Sequence, residues 1–348
     1  MRILLSAGAD PEMRDGLGRT TLHLVITSWP SFQTTWPKPG SKLCTVVTSR
    51  FTQAEACLRL LCEHGVNINA KVDGKIRQTA LHLAVHYTAL SAIHTLASYG
   101  ADINAVAGSG MTPLHMAAGI LRKDIIASLI KEGADINMGV KNSGNTPLHI
   151  AAVATAMKTA KTPVDFSGCI SELVKHGAQV DATNKAGMTP LQEACSIGDN
   201  ELVDLLLRYG ANINELSKTG ENCLFLFLNR RANVRKKSLL VKLFSLISPL
   251  TVYNHKGLLP STLNLPCFFK QTQQLLKLIQ QPRSLQDICK RAIYLRYVQD
   301  KRDELRKVLP ESVYNFVFNY WEDSRISFET DSDGDQDSFN SLTDMAPL

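Results

Sequence analysis

The sequence predicts an all-α fold in which a pair of helices repeats along the chain. Two short phrases that recur in step support this prediction. The first is Thr-Pro-Leu-His or a near copy, and it begins at Thr20, Thr79, Thr112, Thr146 and Thr189. The second is Gly-Ala-Asp-Ile-Asn or a variant, and it begins at Gly65, Gly100, Gly133, Gly177 and Gly210. Successive copies of the first phrase are 59, 33, 34 and 43 residues apart, and a recurring step near 33 indicates a repeat fold.

The segment from Gly110 to Asn137 shows how one repeat is built. Thr112 is a favourable helix N-cap because its hydroxyl can accept a hydrogen bond from an unpaired backbone N–H, and Pro113 suits the first helical position. A second helix is predicted from about Lys123 to Lys131, where apolar residues recur at helical spacing. Gly133 then favours a helix C-terminus. Because one helix pair cannot bury its own apolar face, neighbouring repeats must cover it.

With a step near 33 residues, the two phrases resemble those of the ankyrin-repeat family. The resemblance implies a solenoid of helix-turn-helix repeats joined by β-hairpin-like loops, with no enzymatic activity and no cofactor. It also implies that the histidine of the first phrase bonds to its threonine and to neighbouring loop backbone. Four residues hold this position, namely His23, His82, His115 and His149. The alternative, a ladder of metal ligands or bases, is disfavoured because the copies lie one repeat apart.

The repeat register divides the chain into nine predicted segments. They are a partial repeat at 1–17, a repeat with a long insert (about 29–53) at 18–70, repeats at 77–109 and 110–143, a repeat with an insert (about 155–166) at 144–186, a repeat at 187–219, degenerate repeats at 220–281, a helical cap at 284–321, and an acidic tail expected to be disordered at 322–348. Since Ile3, Leu4 and Leu5 would lack a helix partner, we expect at least one upstream repeat that this chain lacks, as in a short isoform or an incomplete gene product.

The long insert contains Trp29 and Trp36, and three prolines with a glycine exclude a regular helix at its start. Two interpretations are open, because insertions in repeat arrays map to loops that often bind partners. The tryptophans either pack back on the neighbouring repeat or contact a target.

Composition and charge exclude several classes of protein. No run of 18 apolar residues and no secretory signal occurs, and the eight cysteines form no Cys-x-x-Cys pair, so a reduced, cytoplasmic protein is expected. The net charge is +6, although residues 322–348 hold eight acids against one Arg. The basic cluster at 230–237 is a weak nuclear-import signal, with a solvated surface or a dock for the acidic tail as alternatives. Thr330 and Ser332 each precede an acid by three residues, the pattern that acidophilic kinases favour.

The segment that starts at Ser284 has the spacing Ser-Leu-x-x-x-Cys-x-x-x-Ile, which resembles the first half of a SOCS box. The resemblance implies that Leu285 inserts into elongin C, with Cys289 and Ile293 packed beside it. Of the second half, which favours cullin 5, only Leu309-Pro310 remains. The alternative is a helical cap that closes the stack. Because the apolar face of this helix exceeds what its own hairpin can hide, we expect it to dock on the repeats or on a partner.

The favoured function is a non-enzymatic, monomeric scaffold that binds a protein, with no nucleic acid, membrane, cofactor or metal. The alternative is a substrate-recruiting subunit of an elongin/cullin ubiquitin ligase. The repeat register places candidate target-binding residues at hairpin tips, namely Lys75, Arg77, Lys141, Lys185 and Lys218, and these favour a partner with an acidic surface. Asn104 and Asn137 resemble sites of asparaginyl hydroxylation in ankyrin proteins, although a loop-bonding role is the simpler interpretation. No catalytic constellation is present in the sequence.

Overall fold

The chain divides into two compact units, residues 1–193 and 194–348. The structure, a computed structural model, describes residues 1–30, 42–156, 166–281, 283–298 and 302–318. Within these ranges the regular elements are helices, accompanied by one isolated antiparallel bridge between Lys71 and Thr79. The predicted all-α class is therefore confirmed. None of the described helices is long and apolar enough to cross a membrane.

The first unit consists of helices that alternate between a first and a second helix of each repeat. Its helices are α1 (Arg2–Ser6), α2 (Thr21–Thr27), α3 (Lys42–Glu63), α4 (Ala80–His86), α5 (Leu90–Ser98), α6 (Pro113–Gly119), α7 (Lys123–Lys131), α8 (Pro147–Ala156) and α9 (Phe166–Lys175), and the boundary between the units falls inside α10 (Pro190–Ile197). Helix α7 has the bounds that the sequence predicts.

Local chemistry explains where α6 and α7 begin and end. The Thr112 hydroxyl accepts a hydrogen bond from the backbone N–H of His115 at 3.4 Å, which caps α6. Pro113 occupies the first turn, where a missing N–H costs nothing. After α7, Gly133 adopts a φ of 92°, a left-handed conformation that residues with a Cβ rarely take.

Neighbouring repeats bury each other's apolar faces in the first unit. Helix α6 packs on α7 and on α8, and α7 packs on α5 and α9. The side chains of Ile126, Leu129 and Leu173 are fully buried in these contacts. Burying one such side chain stabilises the fold by about 1.5–3 kcal/mol, so a repeat depends on its neighbours for most of its stability.

The second half of the long insert is helical. Residues 42–53 belong to α3, which runs for 22 residues because no proline or glycine interrupts Lys42–Glu63. Residues 31–41, including Trp36, lie outside the described part of the chain, as do residues 157–165 of the second insert.

The second unit begins with repeat-like helix pairs and ends with a small helical hairpin. Its helices are α11 (Asn200–Arg208), α12 (Cys223–Leu228), α13 (Lys237–Leu246), α14 (Phe269–Gln280), α15 (Leu285–Tyr297), α16 (Arg302–Val308) and α17 (Glu311–Phe318), with short 3-10 helices at Arg231–Asn233, Ser261–Asn264 and Pro266–Phe268. All six residues of α12 are buried. Helix α15 packs on α13 and on α17.

Candidate functional site

Three of the four histidines of the first phrase, namely His82, His115 and His149, connect one repeat to the next. In the second described copy, the Thr79 hydroxyl lies 2.8 Å from His82 Nδ1, and the Thr79 backbone N–H also points to that nitrogen, at 3.3 Å. Nδ1 is therefore the acceptor, so the protonated Nε2 donates to the carbonyl of Met111 in the next repeat, at 3.2 Å. His115 and His149 make the same contact with the carbonyls of Asn145 and Met188, at 3.0 Å and 2.9 Å.

Burial keeps these imidazoles neutral. Desolvation lowers the pKa of His82 from 6.5 to about 4, and it also lowers the pKa of His23, His115 and His149. Each ring is fully buried, and the described residues include no group of three potential ligands that could hold a metal ion. These contacts favour the structural role of the histidines over the metal-ligand alternative.

In the fifth copy of the phrase, Gln192 replaces the histidine. Its side-chain Oε1 accepts a hydrogen bond from the backbone N–H of Thr189 at 2.9 Å, the same backbone group that a histidine would bind. An amide therefore reproduces the local cap without an ionisable ring.

The hairpin tips of the first unit are joined to one another by backbone hydrogen bonds. At each tip, a backbone N–H donates to a carbonyl of the preceding tip. The pairs are Asp73 to Gly18 at 3.2 Å, Gly108 to Ile76 at 2.8 Å, Lys141 to Gly110 at 3.4 Å and Lys185 to Ser143 at 2.9 Å. The packing is tight at Gly108, where an added Cβ would lie 1.7 Å from the Lys75 carbonyl oxygen. We call the loops 73–77, 106–109, 140–143 and 184–187 the hairpin rim.

The predicted tip residues are exposed. Lys75, Arg77, Lys141 and Lys185 are exposed on the hairpin rim, and the Lys185 ammonium donates to the carbonyl of Lys141 at 2.5 Å. Lys218 is likewise exposed, at a hairpin tip of the second unit. The structure thus brings four of the five predicted tip cations onto one continuous edge of the first unit.

Trp29 differs from the tip residues because it is buried. Its side chain is only 4% exposed, so it packs in the interior of the first unit. This position favours the packing alternative for Trp29 over contact with a target.

Asn104 and Asn137 hold the turns between repeats together. The Asn104 side-chain oxygen accepts a hydrogen bond from the Asp135 backbone N–H at 2.8 Å, and the Asn137 side chain bonds to the backbone of Gln179 and Gly177 at 2.8 Å and 3.0 Å. This geometry is the loop-bonding role that the sequence left open. Hydroxylation of either residue stays a hypothesis.

Helix α15 carries the residues of the SOCS-box-like segment, and its apolar face is exposed. The Ser284 hydroxyl caps the helix by accepting from the Asp287 backbone N–H at 3.1 Å. Leu285 is 76% exposed and Ile288 49% exposed, Cys289 is exposed, and Ile293 is half-buried. Docking on the repeats and docking on a partner were the two expected alternatives, and this exposure favours a partner for the first two turns.

The opposite face of α15 holds the helix in place. Tyr294 is 1% exposed, and its hydroxyl donates to Asp204 Oδ1 on α11 at 3.0 Å. Lys242 of α13 is 2% exposed, and its ammonium donates to both Asp204 oxygens at 2.8 and 2.9 Å and to Asn200 Oδ1 at 2.7 Å. This buried network connects three helices, and a buried charge pair depends on such complete hydrogen bonding.

Two arginines complete the attachment at the C-terminus of α13. Arg283 donates to the carbonyls of Ser245 and Phe244 at 2.8 Å and 3.0 Å, and Arg291 donates to the carbonyl of Leu246 at 2.7 Å. Burial lowers the pKa of Arg283. The last carbonyls of a helix lack partners within it and carry partial negative charge, so guanidinium groups bind there favourably.

The remaining predicted residues of the C-terminal segment are only partly placed. Leu309 is half-buried and Pro310 is exposed in the turn between α16 and α17. Thr330 and Ser332 lie outside the described residues. Sequence reasoning did not find Asp204, Lys242 or Tyr294, although a lysine within the apolar run from Leu239 to Leu246 of α13 is a signal for a buried ion pair.

Comparison with known proteins identifies the repeats. A model of multi-copy ankyrin repeats matches residues 81–127, and a model of three ankyrin-repeat copies matches residues 157–236. Residues 81–127 and 157–236 are therefore similar to ankyrin repeats.

Curated relatives share these repeats over limited lengths. Ankyrin repeat and SOCS box protein 16 of Homo sapiens is 29% identical, over 44% of this chain and 40% of that protein. The B-cell lymphoma 3 protein homolog of Mus musculus is 31% identical, over 44% of this chain and 33% of the relative. Neurogenic locus notch homolog protein 2 of Homo sapiens is also 31% identical, over 44% of this chain but only 6% of the relative. The chain thus spans less than half the length of each of these relatives.

The depressed pKa of His82 predicts that acid destabilises the fold. The unfolded chain binds a proton near pH 6.5 and the folded ring only near pH 4, so stability is lost as the pH falls through this window. The loss from His82 should be about 3 kcal/mol, and urea denaturation at pH 7.5 and pH 4.5 measures most of it.

The control is His82→Gln, which copies the bond that Gln192 makes to Thr189. The difference in unfolding free energy between pH 7.5 and pH 4.5 should be smaller in this variant by that amount. The unfolding free energy at pH 7.5 should change by about 1 kcal/mol or less. An unchanged pH dependence in the Gln variant would show that His82 is not the group protonated on unfolding.

Proposed function

We propose that this chain is a non-enzymatic scaffold that binds a protein partner along the hairpin rim and the adjoining first helices. The observation that supports the proposal best is the row of backbone hydrogen bonds that joins successive tips. A surface that is already ordered loses little conformational entropy on binding, so it suits recognition of a protein. In this proposal the chain is monomeric and cytoplasmic. It binds a protein and does not bind a nucleic acid, a membrane or a cofactor.

Enzymatic catalysis has little support among the described side chains. The ankyrin-repeat family is typically non-enzymatic, and both ring nitrogens of His82, His115 and His149 take part in structural hydrogen bonds. A general base must reach the proton that it removes, and these rings face backbone carbonyls in the interior.

Site-specific photo-crosslinking in cells tests the proposal. A photoreactive amino acid at exposed Ser109 of the hairpin rim should crosslink a protein partner, whereas the same group at exposed Lys123 on α7 should not. The crosslinked peptides are identified by mass spectrometry. Equal crosslinking of one protein from both positions, or from Lys123 alone, would contradict binding at the rim.

A second candidate function is recruitment of a ubiquitin ligase through elongins B and C. It is favoured by the orientation of α15, whose Leu285 and Cys289 are exposed while Tyr294 and the arginines attach the opposite face to the second unit. The name of one relative, ankyrin repeat and SOCS box protein 16, includes this kind of segment. The cullin half has less support, since only Leu309-Pro310 of its element is present.

Replacing Leu285 by Ala tests the elongin contact. The tagged wild-type chain should co-purify with elongins B and C, and Leu285→Ala should reduce their recovery at least tenfold because the inserted side chain is lost. The matched control is Val308→Ala on α16, since Val308 is 79% exposed and lies outside the proposed contact. Recovery that is indifferent to Leu285, or no recovery with the wild-type chain, would defeat this candidate.

A further inference from the structure

Charges on the first unit are paired in a way that leaves the hairpin rim basic. Arg14 forms an ion pair with Asp73 at 3.2 Å, and Arg19 forms one with Asp15 at 2.7 Å. These pairs neutralise the acids at the first two tips. The rim loops carry four cations, namely Lys75, Arg77, Lys141 and Lys185. Among the described residues, no carboxylate forms an ion pair with any of them.

The acids of the first unit lie mainly away from this edge. Asp102 and Asp135 accept hydrogen bonds from the backbone N–H groups of Asn104 and Asn137, at 3.0 Å and 2.9 Å, in the turns that follow the second helices. In the first helices α4, α6 and α8 no acid occurs, and Glu193 of α10 accepts from Asn184 at 3.4 Å. The positive potential of the rim is therefore not cancelled by nearby acids.

The rim also fixes the positions of these cations along a line. Neighbouring helices pack about 10 Å apart, so successive tips are separated by about the same distance. An extended peptide rises about 3.3 Å per residue, and one repeat therefore corresponds to about three residues. Lys75 and Lys185 lie three tips apart, so an extended segment of about nine residues would reach from one to the other.

We infer that the partner bound at the rim presents an extended acidic segment. Its carboxylates lie about three residues apart opposite the adjacent tips of Lys141 and Lys185, and about six residues apart where the loop 106–109, which carries no cation, intervenes. This inference rests on the proposed function and names the chemistry of the partner. The observations favour a protein over a single-stranded nucleic acid, because proteins that bind single strands combine a basic groove with aromatic side chains on which the bases stack, and the four rim loops contain no aromatic residue. Because the loops are already joined, such a segment binds without ordering them.

Binding of a model peptide to the full chain tests the inference. The probe is a fluorescent twelve-residue peptide in which Glu alternates with Gly-Ser, and fluorescence anisotropy measures its affinity. The same peptide with Gln in place of Glu is the control and should bind at least tenfold more weakly. Binding should weaken about tenfold when salt is raised from about 0.05 M to about 0.3 M, because exposed charges are screened.

Four charge reversals on the rim supply the decisive comparison. The variant with Lys75→Glu, Arg77→Glu, Lys141→Glu and Lys185→Glu should lose at least tenfold in affinity. A matched variant on exposed helical positions of the same unit should stay within about twofold of wild type, as expected for screened, distant charges; it carries Arg50→Glu, Arg59→Glu, Lys131→Glu and Lys175→Glu. A rim set with Gln in place of Glu, checked by circular dichroism, separates lost charge from lost folding.

The titration is repeated with a chain in which Asp331, Asp333, Asp335 and Asp337 are changed to Asn. This change removes competition between the peptide and the chain's own acidic residues. Equal weakening by the rim and helical variants, no binding of the acidic peptide to either background, or tighter binding of a single-stranded oligonucleotide would overturn the inference. If the peptide fails but crosslinking from Ser109 persists, the acidic partner is wrong and the protein-binding function stands. Loss of both overturns both.

Discussion

Each repeat of the first unit depends on the next repeat for groups that it cannot satisfy alone. The His82 ring needs the carbonyl of Met111, and the backbone N–H of Gly108 needs the carbonyl of Ile76. The apolar stripe of α7, including Leu129, is covered by α6 of the same repeat together with α5 and α9 of the neighbouring repeats. Buried polar groups and apolar faces thus both need a partner on the adjacent repeat, and they find it only when adjacent repeats are in register.

This dependence creates the surface on which the proposed function rests. The bonds that satisfy the tips also order the loops, and they leave side chains such as Lys75 and Lys141 exposed. In the second unit, the Asp204–Lys242–Tyr294 network similarly uses the polar side of α15 and leaves Leu285 exposed. In both units, internal hydrogen bonds determine which side chains are available to a partner.

Much of the fold could be predicted from the sequence because its signals are local. The Thr-x-x-His phrase caps first helices such as α4 and α6 within four residues, and the bounds of α7 follow from apolar spacing and Gly133. The face of α15 that packs inward could not be predicted, since Tyr294 binds Asp204, which lies 90 residues earlier. The sequence also indicated the tip cations, but not that Arg14 neutralises Asp73, a contact made only after the hairpins are stacked.

Native-state hydrogen exchange tests the coupling between repeats most directly. The backbone N–H groups of Gly108 and Lys185 lie in loops, yet each donates to the preceding tip. If the tips are locked together, these amides should open with free energies within about 1 kcal/mol of those of the buried α6 and α7 amides. Exchange of Gly108 and Lys185 as fast as that of an unstructured loop, with α6 and α7 still protected, would contradict a pre-ordered rim.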